Sequence, residues 1–227
     1  KISLSHFSKP RASGIRAISL PEDNSDRLIG VEVIKEAQEV LLATKEGKAI
    51  RFNGTDVRPM GRSSYGVTGI NLEKGEVVSL EIVDNVNESI LTITEKGYGK
   101  RSEIEDYRLI SRGGKGVINL KISDKTGKVV KTVSAKDEDS IIVTTGKGMI
   151  IRSGVKEIRV MSRATQGVHI VKLKEQDKVV DRVRINALKL LIINPSQEEI
   201  KIHLQIINKE IDGLDRKDAR LWLKRLK

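Results

Sequence analysis

ILTITEKGYGKRSEIEDYRLISRGGKGVINLKI, Ile90 to Ile122, reads as a strand, a glycine turn, a second strand, a polar loop and a third apolar run. ILTIT followed by EKGYGK and RS is a hairpin pattern, two antiparallel strands about a tight turn. The loop closes on SRGGKG, Ser111 to Gly116. Its three glycines let the backbone bend sharply and expose amides while Arg112 and Lys115 project outward, an arrangement suited to phosphate. An ordinary glycine loop with solvated charges has the same composition, so the reading turns on whether the stretch recurs.

It does recur. Gly14, Gly66, Gly116 and Gly167 are separated by 52, 50 and 51 residues, and each opens an apolar run: GIRAISL, GVTGINL, GVINLKI and GVHIVKL. The turn glycines Gly47, Gly97 and Gly146 repeat at 50 and 49. Arg51, Arg101 and Arg152 hold a third repeating place; Arg62, Arg112 and Arg163 hold a fourth, each four residues before its glycine. Paired apolar residues recur at Val77 and Val78, Val129 and Val130, Val179 and Val180, with Leu28 and Ile29 at the matching place. The register divides the chain into a partial unit, 1–34, three full units, 35–84, 85–135 and 136–185, and a non-repeating tail, 186–227.

Each full unit carries four strand signals: a hairpin (VLLAT to AIRF, ILTIT to RS, IIVTT to MIIR), the run after the fourth-place glycine, and the valine-pair run VVSLEIV, VVKTVSA or VVDRVRI. Four strands in about 50 residues is the habit of a propeller blade, and the alternation excludes helical solenoids. The expected fold is all-β, a propeller-like array of four-stranded antiparallel blades that bury their faces by stacking. Lys and Arg number 42 against 31 Asp and Glu, a net charge of +11 that favours a polyanionic partner such as nucleic acid over a membrane. There is no cysteine, which suits a cytoplasmic location, and no apolar run approaches the roughly 20 residues that span a bilayer.

The units VLLATKEGKAIRFNGTDVRPMGRSSYGVTGINL, ILTITEKGYGKRSEIEDYRLISRGGKGVINLKI and IIVTTGKGMIIRSGVKEIRVMSRATQGVHIVKL resemble blades of the C-terminal domain of the bacterial DNA gyrase A subunit. KEGKAIRF, GYGKRSEI, GVINLKI and SRATQGV stand in register, and the likeness covers residues 1–185. The related topoisomerase IV subunit has a similar, more degenerate domain. The resemblance implies a β-pinwheel, a disc of four-stranded blades with its own pattern of strand exchange, whose basic rim binds and bends duplex DNA. It also implies a nucleoid-associated setting, with two partners in an intact A2B2 enzyme: the gyrase B subunit, and the rest of the gyrase A subunit. In that family, wrapping supports negative supercoiling by presenting a DNA segment to the catalytic core. The family's seven-residue box, Gln-Arg-Arg-Gly-Gly-Lys-Gly, has its nearest counterpart in ISRGGKG, Ile110 to Gly116, but the flanks there match a later blade. The true box is therefore read as absent, and KISLSHF as entering partway through a blade.

One arginine per unit beside a glycine at constant offset makes a circumferential row of phosphate contacts. The candidates are Arg62, Arg112, Lys115 and Arg163 in the loops, then Lys48, Arg51, Lys100, Arg101, Lys147 and Arg152 around the hairpins. For the hairpin set, a solvated guard on an edge strand is the competing reading. Phosphate contacts carry no base information, so binding is expected to be weakly sequence-specific and steeply salt-dependent.

Enzyme readings find little support. His6, His169 and His203 lack metal-ligand spacing, no GxxxxGK[ST] loop is present, and no cofactor is expected. Tyr65, Tyr98 and Tyr107 lie in hairpins and loops, while the resemblance puts the nucleophilic tyrosine and the ATPase outside this chain. In the tail, ALKLLIIN reads as a strand, Ser196 with Glu199 as a capping box for a helix, and DRKDARLWLKRLK as a second short helix. The alternative to a DNA-bending domain is a protein-interaction platform of the kelch or WD type. It lacks a Trp-Asp pair in each unit and leaves the periodic arginines unexplained.

Overall fold

Glu39–Thr44 (β1) and Lys48–Asn53 (β2) form the first hairpin, with Leu42 opposite Ile50 and Val40 opposite Phe52. Its inner edge is extended by Val77–Val83 (β3), again antiparallel. The second hairpin, Ser89–Thr94 (β4) and Tyr98–Glu103 (β5), precedes Val117–Ile118 (β6) and Val129–Ala135 (β7). Ser140–Thr145 (β8), Ile150–Gly154 (β9), Val168–His169 (β10) and Val179–Ile185 (β11) complete the strands. This computed structural model describes residues 1–9, 14–23, 25–35, 37–73, 75–83 and 88–185. The strand and helices expected in the tail lie outside them.

The described residues are built on β-strands, as their alternation dictates, but the strands are shared between units. The three sheets are ordered β3-β1-β2-β6, β7-β4-β5-β10 and β11-β8-β9. The run after Gly116 therefore joins the hairpin of the preceding unit, Lys48 pairing with Ile118 and Ala49 with Val117. Gly167 repeats the step, with Gly99 against Val168 and Tyr98 against His169. These third strands are two residues long rather than the seven that their apolar runs suggested. Beyond Ile118 and His169 the chain turns in, and Leu120 and Val171 enter the core. The GVTGINL run forms no strand; beside its loop, Met60 N donates to Lys1 O as Ile110 N donates to Arg51 O.

At the opposite edge the valine-pair strands adjoin one another, β3 against β7 and β7 against β11. Amides of β7 are met by side chains of β3, Thr132 N donating to Ser79 Oγ and Ser134 N to Glu81 Oε2. The apolar core lies between the sheets. Leu41, Ala43, Val83, Ile90, Ile104 and Tyr107 fill the first junction; Leu91, Ile93, Val133, Ile141, Val143 and Ile158 fill the second. Strand β4 is buried along its whole length because both of its faces meet a neighbour.

Arg51 and Arg101, expected as outward hairpin cations, belong to these junctions. Arg51 Nε bonds Glu39 at 2.5 Å and its Nη1 reaches the carbonyls of Ile104 and Tyr107 at 2.9 and 3.1 Å. Arg101 donates to Ile158 O at 2.8 Å and pairs with Asp137, its own side chain 6% exposed. A guanidinium can enter an apolar junction here because fixed carbonyls satisfy its planar donors.

The hairpin glycine of the third unit is Gly148 rather than Gly146. Gly47, Gly97 and Gly148 share φ of 75 to 79°, and each amide donates three residues back to Thr44, Thr94 or Thr145. A side chain at Gly97 would stand 2.4 Å from Val171 O of the donated segment, whereas nothing lies within 4 Å at Gly148. Gly148→Ala is therefore expected to cost only the left-handed penalty, about 1 kcal/mol. Gly97→Ala adds a backbone clash and should lose about 3 kcal/mol. Urea unfolding of both variants checks this, and equal losses would refute the strand exchange at that glycine.

Candidate nucleic-acid interface

The loops ahead of the donated strands run along the outer edge of the sheets, and they are tied to one another. Ser19 N donates to Ser64 O, Asn71 N to Gly114 O and Lys121 N to Thr165 O, the same bond made once per unit. Each loop arginine adds to this belt. Arg62 Nη1 donates to Arg16 O at 3.0 Å; Arg112 donates to Asp56 O and Thr68 O, both at 3.0 Å; Arg163 donates to Asp106 O and Ile118 O at 3.0 and 2.9 Å. Carbonyls of the neighbouring loop thus hold one part of each guanidinium. All three side chains are half-buried, and no described residue accepts from their Nη2 groups.

A second arginine row lies in the same loops. Arg58, Arg108 and Arg159 stand four residues before Arg62, Arg112 and Arg163, in RPMGR, RLISR and RVMSR. All three are exposed, and no described residue bonds or ion-pairs with their side chains. Each follows a short 3₁₀ turn, Gly54–Asp56, Ile104–Asp106 or Val155–Glu157, that fixes its starting point on the edge. The sequence carries the signal as an R-x-x-x-R spacing with the 50-residue period. Counting back from the glycine found only the second arginine of each pair. The first and third loops hold two guanidiniums against one carboxylate, Asp56 or Glu157, and the second sets two guanidiniums and Lys115 against Glu105 and Asp106, so the local balance of each is positive.

The other candidates disperse. Lys115 is exposed on the outer loop and pairs with Glu73 at 3.0 Å, a bond that holds the Glu73 carboxyl below its usual range. Lys48 is half-buried among Glu46 and Glu73, and Lys147 Nζ donates to Glu175 O at 2.7 Å. The hairpin tips carry mixed charge, with Lys45 and Arg27 on Glu76 and Lys128 on Glu46. Arg152 is exposed and reaches Ser140 Oγ at 3.5 Å. Lys100 is fully buried, so it offers no phosphate contact, and Arg51 and Arg101 are committed as described. Among the described residues no cluster of His, Asp and Glu could hold a metal ion, and no helix is long and apolar enough to cross a membrane.

Comparison with known proteins finds one family, described as "DNA gyrase C-terminal domain, beta-propeller", which matches residues 1–35, 38–84, 88–136 and 139–183. The DNA gyrase A subunit of Chlamydia pneumoniae is 41% identical over 190 residues, 82% of this chain and 22% of that protein. Its counterpart in Buchnera aphidicola subsp. Baizongia pistaciae is 42% identical over 190 residues, 84% of this chain and 22% of its own length. This chain therefore spans less than a quarter of these relatives. The solved C-terminal domain of DNA topoisomerase IV superposes with a TM-score of 0.75 at 27% identity, covering 81% of this chain and 57% of that one. The DNA gyrase A C-terminal domain superposes at 0.70 with 25% identity, covering 77% and 59%.

The two arginine rows differ in what they do for the fold. Arg112→Ala removes two bonds to neighbouring-loop carbonyls and should cost about 1–2 kcal/mol. Arg108→Ala removes none and should stay within about 0.5 kcal/mol of wild type. Chemical denaturation separates the two, and an equal cost would refute the division.

Proposed function

The chain belongs to the DNA gyrase C-terminal domain family, and from that premise we propose that it binds and bends duplex DNA along its outer edge. In this reading it serves a type II topoisomerase of the gyrase kind, presenting a wrapped DNA segment to catalytic parts carried elsewhere and taking no chemical step itself. The observation that carries the reading is the row Arg58, Arg108 and Arg159. These are three exposed guanidiniums without a described protein partner, one per unit, on an edge whose loops are bonded end to end. Arg62, Arg112, Arg163 and Lys115 supply the second line of contacts. The arginines among them are already oriented by carbonyls, so little side-chain entropy is left to lose on meeting a phosphate.

A regular row of cations along this edge would follow a DNA backbone without reading bases. Affinity then comes from counterion release, and any sequence preference from how easily a given duplex bends. The repeat bounded by residues 35–84, 85–135 and 136–185 sets the spacing of the contacts. The proposed protein partners are the gyrase B subunit together with the rest of a gyrase A subunit, in the cytoplasm and at the nucleoid.

The test is binding to a random-sequence duplex across a salt series, with end-to-end approach read by fluorescence transfer. An Arg58, Arg108, Arg159 to Ala triple variant should keep wild-type stability and lose affinity. The slope of log affinity against log salt should fall by about 3, close to one unit per lost phosphate contact. An unchanged slope would remove this row from the interface, and wild-type binding without approach of the duplex ends would leave a tether in place of a bending surface.

A further inference from the structure

Lys100 occupies a place that the repeat otherwise fills with isoleucine. Its counterparts are Ile50 and Ile151, and in the first unit Ile50 packs with Phe52, Ile70 and Ile110 in an apolar cluster. In the second unit the same place is polar. Lys100 is fully buried; its Nζ donates to Ser102 Oγ at 2.5 Å and to Ser162 O at 3.1 Å, and Ser102 Oγ donates on to Met161 O at 2.8 Å. Met161 and Ser162 lead directly into Arg163. The charged and titratable groups facing Lys100 are Asp106 at the end of a 3₁₀ turn, Arg163 on the next loop, and the phenol of Tyr107, which also meets Ser102. Burial pushes that phenol up, so it stays neutral and takes no part in balancing the ammonium.

We propose that Lys100 is a positioning residue of the DNA-binding edge, a buried ammonium that holds the root of the Arg163 loop and sets a positive charge behind it, coupling polyphosphate binding to proton uptake. The inference rests on the proposed function of that edge. The isoleucines at 50 and 151 show that the fold does not need a cation at this place. An ammonium has three N–H groups and two are used, so a neutral amine keeps both bonds. Losing the proton therefore changes the field at Arg163 more than the geometry of its loop. Burial first, with Arg163 adding to it and Asp106 opposing, lowers the Lys100 pKa from 10.5 to about 8. A duplex laid against the loop favours the charged form and draws a proton in.

The measurement is duplex affinity from about pH 7 to about pH 9 for wild type and Lys100→Met, with Lys100→Ile, the residue type found at position 50, as a second variant. Wild-type affinity should fall about three- to tenfold more than that of either variant over this window, the curves converging at the alkaline end. Parallel profiles overturn the assignment of Lys100 alone. Absence of wild-type binding at pH 7 and low salt overturns the DNA-binding reading and this inference with it. A readout without DNA accompanies these. The folded-state pKa is lowered, so the unfolded chain holds more protons between about pH 8 and 10.5, and wild-type stability should rise with pH there relative to Lys100→Met. A flat difference overturns the buried charge.

Discussion

A ladder two residues long, given by the second and by the third full unit to the hairpin before it, is the constraint from which the rest of this structure follows. Val117 and Ile118 can lie against Ala49 and Lys48 only if the chain first climbs over the outer edge of β2, and that climb is the SRGGKG loop. The approach leaves no room for a side chain at Gly116, where a Cβ would stand 2.5 Å from Ala49 O, or at Gly47, where Leu120 O would be 2.3 Å away. Two glycines per junction are thus fixed by one short ladder. Further ties close the junction from other sides: Val129 N to Lys45 O and Val179 N to Glu95 O at the hairpin turns, and the arginine-to-carbonyl bonds at the outer edge. Each is modest alone, and together they enclose an apolar junction that no single unit could bury.

The four-residue step between the two arginines of each loop separates two tasks that a basic edge must meet at once. Arg62, Arg112 and Arg163 lean on carbonyls of the neighbouring loop, and so stiffen the edge they decorate. Arg58, Arg108 and Arg159 do no such work and remain in solvent. The hairpin tips show the contrast, since Lys45 and Lys128 meet the carboxylates of Glu76 and Glu46, and Lys147 meets the backbone carbonyl of Glu175. Net charge alone describes neither end, because the excess of cations matters only where carboxylates are few.

Period, strand character and loop arginines were legible because each leaves a mark at fixed spacing. The sheet that a run joins leaves none, since GVINLKI is as apolar against its own hairpin as against the previous one. The shortness of β6 and β10 was hidden for a related reason. Leu120 and Val171 continue the apolar run but serve the core rather than the ladder. Gly146 and Gly148 both suit a turn in TGKGM, and the positive φ of Gly148 together with its amide bond to Thr145 distinguishes them. Burial of Lys100 and Arg101 was illegible because a charged residue after a hairpin turn ordinarily marks an edge strand, and here the donated strand and its loop cover that edge. The exposed arginine row was legible but went unread, having no glycine beside it.

Because the outer strands of the first two sheets are each encoded one unit downstream, neither of these blades is finished as the ribosome delivers its hairpin. The sheet opened by Glu39 closes only when Ile118 has emerged, and the sheet opened by Ser89 waits for His169. Synthesis proceeds at about 5–20 residues per second, so each of these two hairpins spends seconds with its outer edge bare while the next one is made. Over that interval the charges of Lys48, Arg51, Lys100 and Arg101 disfavour pairing of the bare edge with another strand, and Lys100 and Arg101 end buried once the later strand has arrived.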